Sequence, residues 1–396
     1  MEGLFSGIRS SPSTSLDGGR RTLNDPRLFE STPLTEPLDG VLQEHVAAEA
    51  RPRREAPLGA EFARRLHSFD ALNQFVAGGQ WRALALAAEA SILESPAGQE
   101  RMLLKLWMYR TLALTSLRHY VAADRELGRL EVASRNAEVC RKSVRSPTVV
   151  WPFELRLLRA RMPGLAHGDW HLAADRISAL ARGCRRRLAT ATESNVDRAE
   201  LDSQRLFRLG LLLVGCFVRM GDPEQATFIL GRELLASGGA GNDPLLLSAA
   251  ARLHLQLGAV AEAERLFLCV EQTAAKNDRL VLMNRGLYAA ASGKWETARD
   301  MFVAAGAGQP ERIAAANNAA VCELYLGSPQ AMLRGLDQLM TASPAAAGAS
   351  EELVFNYCTG LDLLHDGVKL RDAKATKIID VAMWAGDGFD PASFKL

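Results

Sequence analysis

Between residues 221 and 336 one short pattern returns four times: a glycine, an apolar residue five places on, and a larger apolar residue nine places on. The sets are Gly221/Ala226/Leu230, Gly258/Ala263/Phe267, Gly293/Ala298/Phe302 and Gly327/Met332/Leu336, with successive glycines 37, 35 and 34 residues apart. A fixed period of that length means that each unit is one supersecondary structure, which can bury its apolar side only against its neighbours. Alternating runs of Val, Ile and Thr are missing, so helices rather than strands must fill each unit.

The segment from Arg279 holds the fullest copy. Counting from that residue, Gly286 stands at position 8, Ala298 at 20, Phe302 at 24, Ala305 at 27 and Pro310 at 32. Small residues let two antiparallel helices approach closely, the large one fills the space between neighbouring pairs, and proline stops the second helix. This is the tetratricopeptide pattern, and the expected fold is all-α: a tetratricopeptide-repeat α-solenoid of antiparallel helix pairs. Looser copies stand upstream at Trp81/Leu84/Ala88, at Trp107/Thr111/Ala123/Leu127 and at Gly168/Ala173/Ile177. A last unit begins at Glu351, with a longer turn at His365-Asp366-Gly367 before a helix through Ala382. Seven or eight pairs are expected over residues 59–396, most regular at 207–344, with insertions near 136–152 and 190–202.

Ahead of them, residues 1–58 are rich in Ser, Pro, Gly and Arg, and Pro12, Pro26, Pro33, Pro37, Pro52 and Pro57 interrupt any helical period. An extended or disordered N-terminal arm is expected there, in which Leu28-Phe29 and Leu34, Leu38, Val41 and Leu42 are apolar enough to dock on another surface.

Composition narrows the function. Lys and Arg number 47 against 46 Asp and Glu, a balance that argues against a general nucleic-acid binder, which needs a cationic excess to displace counterions from phosphates. The longest strongly apolar run, Leu211 to Val218, is closed by Arg208 and Arg219 and is far short of the roughly 20 residues a spanning helix needs. The N-terminus does not read as a secretory signal, so a cytosolic protein is expected. The six cysteines form no CxxC pair and read as reduced, mostly buried thiols.

No phosphate loop, dinucleotide fingerprint or nucleophile elbow occurs, and Gly238 to Asn242 reads as an inter-helix turn. His167 and His171 lie four apart but are separated by a turn at Gly168-Asp169, with no third ligand, so no zinc site is expected. Neither a cofactor nor catalysis is expected, because stacked pairs offer an open concave face rather than a dry pocket.

That face does offer candidates for partner binding. Asn284, Asn318 and Asn356 fall at the sixth position in the first helices of three successive units. A ladder of amides could hold the main chain of an extended peptide, with Arg285 favouring an acidic guest; alternatively each amide bonds the neighbouring helix and fixes the stacking. Arg182, Arg185, Arg186 and Arg187 form a basic run at a helix end, either a solvated terminus complementing the helix dipole or a site for an acidic partner or anionic membrane.

Several strings resemble the subunit 12 family of the TRAPP membrane-tethering complex. They are AANNAAVCELYLG (Ala315 to Gly327), EELVFNY (Glu351 to Tyr357) and the closing FDPASFKL, with WPFELRLLRA (Trp151 to Ala160) and MNRGLYAAASGKWETARDMF (Met283 to Phe302) also similar. The resemblance covers about residues 60–396, weakens before Trp151 and leaves the arm largely unmatched. It implies a non-catalytic subunit of a complex that activates a Rab GTPase and tethers vesicles between endoplasmic reticulum and Golgi, with links to autophagy. Its partners would be large arm subunits and small core subunits, and its place the cytoplasmic face of ER–Golgi intermediate and Golgi membranes. The alternative is a free peptide-binding adaptor of the co-chaperone type, for which a Lys/Asn/Arg carboxylate clamp would be expected; only Asn284, Arg285 and Asn318 resemble parts of one.

Overall fold

The computed structural model describes residues 22–31, 37–52, 68–96, 98–141, 151–190, 196–231, 243–273, 278–306, 313–348 and 350–396, with the backbone alone at 136–141 and 347. Eight antiparallel helix pairs follow one another in these segments. They are α2 (Phe69–Ala77) with α3 (Trp81–Glu94), α4 (Glu100–Ser116) with α5 (Tyr120–Arg141), α6 (Phe153–His167) with α7 (Trp170–Ala189), and α8 (Val196–Met220) with α9 (Pro223–Ile229). Then come α10 (Pro244–Gln256) with α11 (Val260–Thr273), α12 (Arg279–Ala291) with α13 (Trp295–Gly306), α14 (Ile313–Tyr325) with α15 (Pro329–Ala342), and, after the one-turn α16 (Pro344–Gly348), α17 (Glu351–Leu364) with α18 (Gly367–Ala382). A helix α1 (Pro37–His45) precedes the row. No strand occurs among the described residues, and the row is a tetratricopeptide-type α-solenoid.

The repeated positions do the work their chemistry predicts. Gly168, Gly221, Gly258, Gly293 and Gly327 each turn the chain between the two helices of a pair, all at φ between 71° and 81°, a region that a side chain disfavours. Ala226, Ala263 and Ala298 have no exposed surface, and Leu230, Phe267, Phe302 and Leu336 are buried beside them. A Cβ placed on Gly286 would lie 2.5 Å from the Phe302 ring, so the glycine is what lets α12 and α13 close on that phenyl group. Asp169, Asp222, Asp243 and Asp278 cap α7, α9, α10 and α12 by accepting backbone N–H bonds. Replacing Ala298 by phenylalanine overpacks the interface of α12 with α13; an expected loss of about 1–3 kcal/mol is checked by thermal melting.

The described parts of the arm are not extended throughout. Pro26–Leu28 forms a 3-10 turn capped by Asp25, and α1 is a helix. Leu23 and Leu28 are buried in the core of the first pairs, while Leu38, Leu42 and Val46 are buried in the core of the last two. Phe29 stacks on Trp107 with ring centroids 4.6 Å apart, and the Trp107 Nε1–H donates to the Leu23 carbonyl at 2.8 Å. Proline spacing conceals this order, because the stabilising contacts lie about eighty residues away in sequence. Leu34, the arm boundary at residue 58, the GGAGN turn and Pro310 fall outside the described residues. So does most of the first expected insertion, although α5 runs on to Arg141; the second is mostly helix, since α8 begins at Val196 and carries a buried Asp202.

The two ends of the row meet. Arg82, at the start of α3, donates from its backbone N–H and from Nη1 to the Asp387 carboxylate, both at 2.9 Å. Arg118 reaches Asp390 at 3.0 Å and Glu351 at 2.6 Å. The backbone of Gly388 passes so close to Ser116 that a Cβ there would lie 2.5 Å from its carbonyl oxygen. Arg118 occupies the inter-helix turn of the α4/α5 pair, where other pairs have glycine, and holds φ 62°. That conformation is costly for arginine, and it carries the guanidinium across to the last pair. The closing FDPASFKL string supplies Phe389 and Phe394 to the core and Asp390 to this seam.

Candidate partner-binding surfaces

The three asparagines do not form one ladder. Asn284 on α12 is 1% exposed, and its Oδ1 accepts from Ser248 Oγ on α10 at 2.7 Å and from Arg252 Nη2 at 3.3 Å. Its amide therefore lies between successive first helices, where no guest main chain reaches it. Asn356 on α17 donates from Nδ2 to Oδ1 of Asn317, not Asn318, at 3.0 Å. Asn318 is half-buried and makes no side-chain hydrogen bond among the described residues. Counting from a fixed start put Asn318 in line with its neighbours, but burial and bonding put Asn317 there. Stacking is thus the role the geometry gives Asn284 and Asn356. Asn317→Ala is expected to cost about 1 kcal/mol by orphaning Asn356, and Asn318→Ala less than about 0.5 kcal/mol; urea melts of the two variants check this.

Arg285 is engaged as well. Its Nε and Nη2 donate to the two carboxylate oxygens of Glu271 on α11, at 2.8 and 2.9 Å. The bond from Arg285 holds the Glu271 carboxyl below the usual carboxylate range. Asn284, Arg285 and Asn318 consequently do not converge into a carboxylate clamp.

The basic run lies on the last two turns of α7, and its members part company. Arg187 donates from Nε and Nη2 to both oxygens of Asp202 on α8, at 2.7 and 2.8 Å, and from Nη2 to Cys184 Sγ at 3.1 Å. Arg205 joins the same carboxylate at 3.3 Å. Asp202 is 2% exposed, and the hydrogen bonds from Arg187 first, then Arg205, hold its carboxyl below the ordinary range. Arg187 thereby ties α7 to α8, whereas Arg182, Arg185 and Arg186 are exposed.

Near this run lies a cleft that sequence reasoning missed. It is bounded by α5, α6 and α7, encloses about 450 Å³, and is lined by Trp151, Arg156, Arg159, Arg176, Leu180 and Arg135 among others. The four arginines are spread over 42 residues of sequence, so no local charge run marks them. Arg159 pairs with Asp124 and Glu131, and Arg135 with Glu131. Arg156 and Arg176 meet no carboxylate among the described residues.

Among the described residues, no group of three or more His, Cys, Asp or Glu side chains is placed to hold a metal ion; His167 instead lies 3.2 Å from Asp124. No helix among them is long and apolar enough to cross a membrane. Cys184, Cys216, Cys322 and Cys358 are buried free thiols, and burial pushes that of Cys358 up to about 11.

No family model matches the chain. It is 27% identical over 267 residues to trafficking protein particle complex subunit 12 of Mus musculus, covering 62% of this chain and 32% of that protein. The Homo sapiens subunit 12 matches at the same identity and length, with 35% of it covered. The matched stretch thus spans about a third of each relative's length. Among solved structures, a human IFIT1 dimer with PPP-AAAA aligns over 88% of this chain and 86% of its own, at 16% identity and a TM-score of 0.36. Yeast Tom70 aligns over 86% and 78%, at 12% identity and a TM-score of 0.37. Over the greater part of its length, this solenoid is similar to subunit 12 of the trafficking protein particle complex, the family its C-terminal strings resemble.

Proposed function

We propose that the protein is a non-catalytic structural subunit of a TRAPP-like tethering and Rab-exchange complex, bridging large arm and small core subunits during transport between endoplasmic reticulum and Golgi, with a link to autophagy. In this reading it works in the cytoplasm, peripheral to those membranes. The observation that carries it is the likeness to subunit 12, in a chain whose repeats expose apolar residues along successive pairs. Phe228, Leu268, Val303 and Tyr325 are each more than half exposed, a supply of contact area that a bridging subunit needs. Asn318, Arg182, Arg185 and Arg186 are the partner-facing polar residues of this reading. Affinity purification of the tagged protein from its own cells tests it. Recovery with other subunits of the complex is expected, and recovery with chaperone C-termini instead would overturn it.

A further inference from the structure

The cleft between α5, α6 and α7 has an unusual balance of charge. Its arginines outnumber the carboxylates within reach, and the two carboxylates that approach it, Glu131 and Asp124, are taken up by Arg135 and Arg159. Arg156 is left with its Nε buried and without an acceptor among the described residues. Burial, and next the charge of Arg187, disfavour its cationic form. The nearby carboxylate of Asp202 is committed to Arg187 and Arg205. Arg176 makes only a long bond, 3.4 Å, to the Arg159 carbonyl. A half-buried guanidinium still gains from an anion beside it, and here no carboxylate of the described residues provides one for Arg156 or Arg176.

The remaining walls are apolar. Ala160, Ala179 and Leu180 line the cleft, and Trp151 forms one side, its Nε1–H donated to Ser134 Oγ at 3.1 Å. A bare phosphate would want several cations converging on one point and would leave this lining unused. An amphipathic acidic segment uses both kinds of wall. We propose that the cleft binds an acidic peptide segment of a partner protein, with carboxylates on Arg156 and Arg176 and an apolar side chain over Leu180 against Trp151. The proposal rests on the bridging reading above and gives one contact of that reading a location, where α5 meets the α6/α7 pair. Arg and planar carboxylates suit each other through paired N–H bonds, and the cleft volume lies within the range of ordinary ligand pockets.

The test uses the full chain and a fluorescein-labelled peptide of repeated Glu-Glu-Leu, with its Gln-for-Glu counterpart as control. Binding measured by anisotropy is expected for the acidic peptide and not for the neutral one, weakening as salt is raised. The Arg156→Gln/Arg176→Gln variant should raise Kd about tenfold or more, while Arg371→Gln, exposed on α18 away from the cleft, leaves it unchanged. Circular dichroism of the double variant reports whether it is folded; should it unfold, Leu180→Glu, which places a repelling charge over the apolar wall, takes its place. Unchanged affinity in the folded variant, equal loss with Arg371→Gln, or equal binding of the neutral peptide overturns the proposal. So does displacement of the peptide by vesicles containing phosphatidylinositol 4-phosphate in an Arg156-dependent manner, which would make the ligand a membrane. Affinity purification separates the two readings: complex subunits recovered equally with wild type and double variant sink the cleft and leave the bridging role standing. Failure of wild type to recover any subunit sinks the bridging role whatever the peptide does.

Discussion

Arg110→Ala lowers the unfolding free energy by about 3–5 kcal/mol, the largest loss expected from any single charge removal in the chain. The Arg110 side chain is fully buried, and all its donors are used. Nε and Nη2 donate to Glu126 at 3.2 and 2.7 Å, Nη1 to Glu89 at 2.8 Å and to the Ala85 carbonyl at 3.2 Å, and Nη2 to the Glu30 carbonyl at 2.9 Å. Alanine would strand Glu126, whose side chain is 1% exposed, without its counter-charge. The arm loses the anchor on its Glu30 carbonyl, and the Glu126 carboxylate that accepts the Glu30 N–H at 2.8 Å loses the guanidinium that holds it. Urea melts measure the loss, and amide exchange should show residues 22–31 released. Arg110→Met combined with Glu126→Leu should recover much of the stability, since a matched apolar pair carries no stranded charge. An unchanged urea midpoint in Arg110→Ala would refute this account of the core.

The second large effect is at the seam. Asp387→Ala removes the carboxylate from Arg82, whose side chain is 4% exposed, and costs about 3 kcal/mol. Scattering should report a larger radius of gyration as the first and last pairs separate; an unchanged radius would mean that the seam does not hold the ends together. Arg118→Ala should cost less than about 1 kcal/mol, because its partners Glu351 and Asp390 are partly exposed and alanine keeps some of the left-handed strain.

The row of pairs was legible because its cause is local. A turn glycine, an alanine at the helix contact and a large residue between pairs act within one unit, so their spacing survives in the sequence, and Gly293, Ala298 and Phe302 perform as read. The arm and the seam were not legible, because their partners are distant. Nothing near Leu28 announces Trp107, and nothing near Arg82 announces Asp387. The asparagines were half legible: their helices were right, but one place along a helix turns a side chain by about a hundred degrees, enough to exchange Asn317 for Asn318. The cleft arginines were invisible for a further reason. Arg135, Arg156, Arg159 and Arg176 come from three helices, and only the packing brings them together.

The bond from Arg82 to Asp387 links residues 305 apart. A contact at that separation cannot form until the pairs between have wound up and brought the ends within reach, whereas each hairpin needs only its own few dozen residues. The junction should therefore be the last part of the molecule to assemble and, held by a few polar links rather than a broad apolar face, the first to yield. Parting there would open the row between Arg82 and Asp387 while leaving the helix pairs themselves intact.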